Sequence, residues 1–155
     1  MKAAYLFNFP QFIEWPFERY YSPSSPFVIG VLGDDQVFAE LVHSMSRKTI
    51  RGRDLRIRRF APDQGFRDCH LLYIGISQRN QLEDVLRRLR GAPVLTVGDS
   101  ADFVKAGGVI RLFVDKNRLR FEINTDAAAR AGLRVSSKLL SVAWLTTDEH
   151  LGGSN

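Results

Sequence analysis

The chain has 155 residues, 45% of them apolar and 25% charged, ordinary globular values that exclude disorder, fibrous repeats and a coiled coil. A domain of this length buries roughly two thirds of the surface its unfolded chain exposes, so no metal or disulfide staple is required. The net charge of +5 is carried largely by arginine, dense at Arg51, Arg53, Arg56, Arg58 and Arg59 and again at Arg87, Arg88 and Arg90. Such a balance suits an acidic partner, a nucleotide or an anionic surface, and equally a solvated face. No nucleic-acid signature with interleaved aromatics accompanies it, so nucleic acid is not an expected partner.

A single cysteine, Cys69, excludes an internal disulfide, a Cys-rich zinc site and a C-x-x-C redox pair. There is no run of about eighteen apolar residues, so no direct membrane insertion is expected. Met1 leads at once into an amphipathic segment rather than a signal peptide. An exported form would have its leader outside this sequence.

In chain order, Tyr5, Leu6, Phe9, Phe12 and Ile13 recur at helical spacing and predict a helix over residues 2–15 with one buried face. Pro10 falls inside it and predicts a kink or restart near Phe9. After a loop over 20–26, the apolar run at 27–32 reads as a strand buried on both faces. Asp34 or Asp35 then caps a helix bearing Val37, Phe38, Leu41, Val42 and Met45 on one side. Residues 55–60 alternate apolar and basic and predict a strand exposed on one face. Residues 71–75 are a third strand, fully apolar. Ser77 caps a helix whose Leu82, Val85, Leu86 and Leu89 share a face, with a left-handed exit at Gly91. Residues 93–97 are the fourth strand.

Beyond Gly107 and Gly108, residues 109–114 and 119–123 flank Asp115-Lys116-Asn117 as an antiparallel hairpin. A short helix over 125–131 ends at Gly132. A last helix begins after Ser136 or Ser137 and buries Leu139, Leu140, Val142 and Ala143. The expected fold class is α/β: a single three-layer domain over residues 2–146, mainly a parallel sheet with an appended antiparallel hairpin, and a tail at 147–155. Phe9, Ile29, Leu72, Leu86, Leu95 and Phe121 are predicted to be buried.

No catalytic constellation emerges. His43, His70 and His150 are the only imidazoles. Cys69 and His70, adjacent on entry to a strand, point to opposite faces and cannot meet, so Cys69 reads as a packed, inert thiol. Gly30 and Gly33 lack phosphate-loop spacing and a following lysine, and the strand at 71–75 has no terminal aspartate to accept a phosphoryl group. No cofactor and no metal are expected. Arg134, Ser136, Ser137 and Lys138 gather where the last helix starts, which suits an anion. Ser136 or Ser137 acting as a plain cap, with Arg134 and Lys138 in solvent, reads as well. Arg53, after Gly52, is a further candidate ligand for the same anion.

The successive blocks KAAYLFNFPQFIEWP, FVIGVLGDD, KTIRGRDLRIRR, CHLLYIGIS, LRGAPVLTVGDSADFVKAGGVIRLF and RLRFEINTDAAARAGLRVSSKLL together resemble the YfiR-like family from about Lys2 to Ala143. The resemblance implies a periplasmic, non-catalytic homodimer that binds the sensor region of an inner-membrane diguanylate cyclase and restrains synthesis of cyclic di-GMP. It also implies sequestration by an outer-membrane lipoprotein. Cys69 cannot form the internal disulfides that some relatives carry, and Pro10 stands where the family pattern more usually has a small residue. A receptor for an anionic small molecule is the alternative, and both can coexist if a ligand shifts the population a partner sees.

Overall fold

The computed structural model describes residues 2–16, 24–45, 47–75 and 79–146. The expected Ser77 cap, most of the 20–26 loop, His150 and the 147–155 tail lie outside them. Among the described residues an eight-stranded sheet runs in the order β10-β8-β7-β6-β5-β2-β4-β3. Its centre comprises β2 (Phe27–Leu32), β4 (Arg53–Phe60), β5 (Leu71–Ile74), β6 (Leu95–Gly98) and β7 (Ile110–Asp115), paired parallel. The appended hairpin joins β7 to β8 (Arg118–Asn124). Lys116 and Asn117 turn it with φ of 50° and 65°, the positive values a tight hairpin turn demands. Helices α2 (Asp35–Met45) and α3 (Arg79–Arg88) are the crossovers. Asp34 caps α2, its carboxylate accepting from the Val37 amide at 3.0 Å.

The central strands are buried on both faces, and alternation divides them between two cores. Leu71, Tyr73, Leu95 and Val97 face Leu6, Phe9, Val37, Leu41 and Ala127. Leu72 and Ile74 face Leu82, Val85, Leu86 and Phe103. Helices α1 (Lys2–Asn8), α2 and α4 (Thr125–Arg130) therefore cover one side of the sheet and α3 the other. All six residues predicted to be core are buried.

Three elements differ from expectation. The first helix ends at Asn8, and Phe9–Phe12 is a 3-10 turn with Pro10 at its start. The chain then extends into β1 (Ile13–Glu14), paired antiparallel with β9 (Arg134–Val135) in a separate two-stranded sheet. The cause is Pro10: without an amide hydrogen it cannot continue the α-helical ladder. The last helix, α5 (Ser137–Leu140), is one turn long. Val142 is 65% exposed rather than buried, Leu140 and Ala143 are half-buried, and the chain leaves as β10 (Trp144–Thr146), parallel to β8. Finally, β3 (Thr49–Ile50) precedes β4 in a tight hairpin through Arg51 and Gly52.

Candidate functional site

An open parallel sheet offers its ligand crevice at the carboxyl ends of the strands where the crossover direction reverses. Here that point lies between β2 and β5. The chain fills it with its own atoms. A Cβ on Gly75 would come 2.8 Å from the Asp34 Cβ, and the Gly75 amide donates to the Leu32 carbonyl at 2.7 Å. Across the neighbouring strand ends, Lys2 Nζ sits 2.6 Å from the Asp99 carboxylate and 3.3 Å from the Tyr73 hydroxyl. Burial, and then the Asp99 carboxylate beside it, push the Tyr73 phenol above its ordinary range, so it stays protonated and neutral at physiological pH. What remains is a hollow of about 210 Å³ bounded by Lys2, Asp34, Gln36, Val37 and Glu40.

Cys69 and His70 stand apart as expected. Cys69 is fully buried among Phe60, Phe66 and Leu72. His70 faces the other core, stacked on Phe27 at 4.7 Å, and its Nδ1 accepts from the Val28 amide at 3.0 Å. The His70 carbonyl in turn accepts from Trp15 Nε1 at 2.9 Å. This pins the segment after β1 to the sheet, a structural use of the imidazole.

The anion candidates separate. Arg134 lies on β9 opposite Glu14, and it shares with Ser136 and Arg51 a groove of about 400 Å³ walled by Gln11, Phe12, Glu14 and Val135. Two guanidinium groups there face one carboxylate. Ser136 caps α5, its hydroxyl accepting from the Lys138 amide at 3.2 Å, while its own amide donates to the Phe12 carbonyl at 2.8 Å. Ser137 and Lys138 are not among the groove's walls, and neither is Arg53, whose guanidinium donates to the Ser25 carbonyl at 2.8 Å.

Arg51 is the groove residue that sequence reasoning missed. At φ 51° it sits in the β3–β4 turn, and its guanidinium donates to the Pro10 and Gln11 carbonyls at 3.0 and 3.2 Å. Those are carbonyls that a 3-10 turn leaves without helical partners. The available signal was Arg51-Gly52 between Ile50 and an alternating run, a hairpin pattern.

The same accounting covers much of the basic charge. Arg58 lies over Phe60 at 5.1 Å, Arg59 over Phe38 at 4.7 Å and Arg88 over Phe66 at 4.6 Å. Arg88 also donates to the Pro62 and Gln64 carbonyls. These arginines tie loops and aromatic faces to the sheet.

The quoted F-E-I-N segment has a physical role at each residue. Phe121 packs edge-on against Phe9 with centroids 5.1 Å apart. Glu122 pairs with Arg111 at 2.9 Å. Ile123 is fully buried, and buried Asn124 caps α4 by accepting from the Ala127 amide at 3.0 Å. No helix among the described residues is long and apolar enough to cross a membrane, and they include no cluster of metal-ligating side chains. A family model described as YfiR/HmsC-like matches residues 1–144, taking in both sheets, the groove and the filled crevice. The chain belongs to the YfiR/HmsC-like family, whose members are periplasmic regulators of diguanylate cyclase signalling.

Proposed function

We propose that this protein is a negative regulator that binds the periplasmic sensor region of an inner-membrane diguanylate cyclase and so lowers cyclic di-GMP output. The observation that carries the reading is the family match over residues 1–144. The filled crevice at the strand ends supports it, since a domain that acts by binding another protein has no need of a substrate pocket there. The protein catalyses nothing in this reading. It works as a homodimer, and an outer-membrane lipoprotein removes it from the cyclase under envelope stress.

The test is titration of the full chain with the purified periplasmic domain of the diguanylate cyclase encoded nearest to it, followed by calorimetry, with cellular cyclic di-GMP measured beside it. A saturable complex and a fall in cyclic di-GMP on expression are expected. A cyclase domain that gives no heat and no change in cyclic di-GMP would overturn the reading.

The groove favours a second, compatible reading in which a carboxylate- or phosphate-bearing ligand is held between Arg134 and Arg51, with Ser136, Ser137 and Lys138 at its rim. Arg53, committed to the Ser25 carbonyl, contributes charge rather than contact. A charge-assisted hydrogen bond contributes about 1.5–3 kcal/mol, so Arg134→Ala should weaken the binding of inorganic phosphate by that amount without loss of fold. Calorimetry showing no affinity for phosphate in the unmodified chain would leave Ser136 with its capping role alone.

A further inference from the structure

On the far side of α4 from Arg134, two adjoining hollows of about 380 and 490 Å³ share Leu86, Arg90, Gly107 and Arg130 as walls. They run between the C-terminal end of α3, the turns before Gly107 and the outer face of α4. The first has an apolar floor, formed by Leu86, Leu89, Ala92, Val94, Val109 and Ala127. The second is rimmed by Arg87, Arg90, Lys105 and Arg130 with the single carboxylate of Glu83. Four cations against one anion, opening directly onto a hydrocarbon floor, is a charge distribution with a definite complement.

We infer that this groove binds a free, single-chain anionic amphiphile, a carboxylate or phosphate head on a short hydrocarbon tail. The head sits among Arg90, Lys105 and Arg130, and the tail lies along Leu86, Leu89 and Val94. The size suits the class, since ligand pockets commonly span about 300–1,000 Å³ and pair an apolar lining with a few placed polar groups. The cations fit the head because a guanidinium offers two parallel donors to a carboxylate or phosphate while lysine supplies a point charge.

The neighbouring arginines show which charges are already committed. Arg88 is held by the Pro62 and Gln64 carbonyls and by Phe66, and Arg87 stands 3.7 Å from Asp84. The Arg90 guanidinium and the Lys105 ammonium have no carboxylate partner among the described residues. An apolar ligand without a head would leave those charges unused, and a bare anion would leave the floor wet. This site shares no wall with the Arg134 groove, and it stands or falls independently of the cyclase-binding reading.

The test is calorimetry of the full chain at low salt with decanoate below its micellar concentration. Decanol, inorganic phosphate and vesicles rich in phosphatidylglycerol serve as separate arms. A saturable one-to-one isotherm with decanoate is expected, weakened about tenfold or more in Arg90→Gln/Lys105→Gln, as loss of one charge-assisted contact requires. Arg134→Ala should leave it unchanged, and decanol and phosphate should each bind at least tenfold more weakly than decanoate. Both substituted side chains lie on the surface, so circular dichroism should match the unmodified chain. The inference is overturned by the absence of saturable decanoate binding, by equal affinity in the double variant, or by decanol binding as well as decanoate. Vesicle binding without decanoate binding overturns it as well, by assigning the basic rim to a membrane surface.

Discussion

The two edges of the large sheet are defended in opposite ways. At one edge β3 covers only Arg53 and Asp54 of β4, so the outer edge of β4 is open from Arg56 onward. Arg56, Arg58 and Arg59 are exposed along it, while Leu55 and Phe60 are buried. At the other edge β10 is three residues long, and Trp144 and Leu145 are half exposed beside Val142. Long cations on an open strand discourage pairing with another chain. Clustered apolar side chains on an edge are the mark of a surface that associates. One strand thus carries the fold and repels partners, while the other adds little to the core and is open to them.

The largest test of that contrast is stability. Phe60 is 6% exposed and packs beneath Arg58 and against Phe66, so Phe60→Ala should cost about 3–5 kcal/mol in urea unfolding. Trp144, half exposed, meets the ring of Phe113 at 4.8 Å, and Trp144→Ala should cost about 1 kcal/mol or less. Equal losses would mean that β10 is part of the core after all.

Between the edges, β5 provides a reference through Tyr73. Its phenol is raised above the ordinary value by burial and by Asp99, whereas the unfolded phenol ionises near pH ~10. Below that pH the stabilisation is fully present. As pH rises beyond it the unfolded state sheds a proton that the folded state keeps, and stability falls by about 1.4 kcal/mol per pH unit until the folded phenol ionises too. Tyr73→Phe should remove that component of the alkaline slope. Parallel alkaline slopes in the two proteins would contradict it.

Association sharpens the comparison further. Trp144→Lys/Leu145→Lys should weaken self-association in sedimentation experiments by about tenfold, the effect of losing a modest interface anchor. Arg56→Val/Arg58→Val should do the reverse and expose a strand able to pair. If the first pair changes nothing while the second dissociates the protein, the roles of the edges are exchanged.

The parts of this design that were legible are those whose signals are local. The apolar runs that became β2, β5 and β6 are set by residues adjacent in sequence, and the alternation in β8 placed Phe121 and Ile123 inward. Ile13 was misplaced because its helical spacing from Phe9 is real, yet its partner is Val135, more than a hundred residues away. Val142 was misplaced for the complementary reason. Its spacing from Leu139 fits a helix, but the pull of β8 on Trp144 ends α5 after one turn. Within the candidate groove, Arg134 and Ser136 could be named because they flank a cap, whereas Arg51 joins them through the Pro10 and Gln11 carbonyls. No local pattern encodes a contact between a turn and a distant 3-10 segment.

The smallest effect expected concerns how the charged edge is held. Arg59 Nη2 lies 3.3 Å from Asp35 Oδ1, with both side chains more than half exposed, and the same guanidinium covers Phe38 at 4.7 Å. An exposed ion pair contributes about 0.2–1 kcal/mol and is screened by salt, while an exposed cation–π contact contributes about 0.5–1 kcal/mol. Arg59→Ala should therefore cost roughly 1 kcal/mol in total. Two double-mutant cycles separate the terms, one pairing Arg59→Ala with Asp35→Asn and the other pairing it with Phe38→Ala. The coupling to Asp35 should shrink towards zero at about 1 M salt, where the screening length is about 3 Å. The coupling to Phe38 should persist, because the ring and the guanidinium are in contact and little solvent lies between them. A Phe38 coupling that vanishes with the Asp35 coupling would make Arg59 an ordinary solvated charge, and the edge would then be protected by repulsion alone.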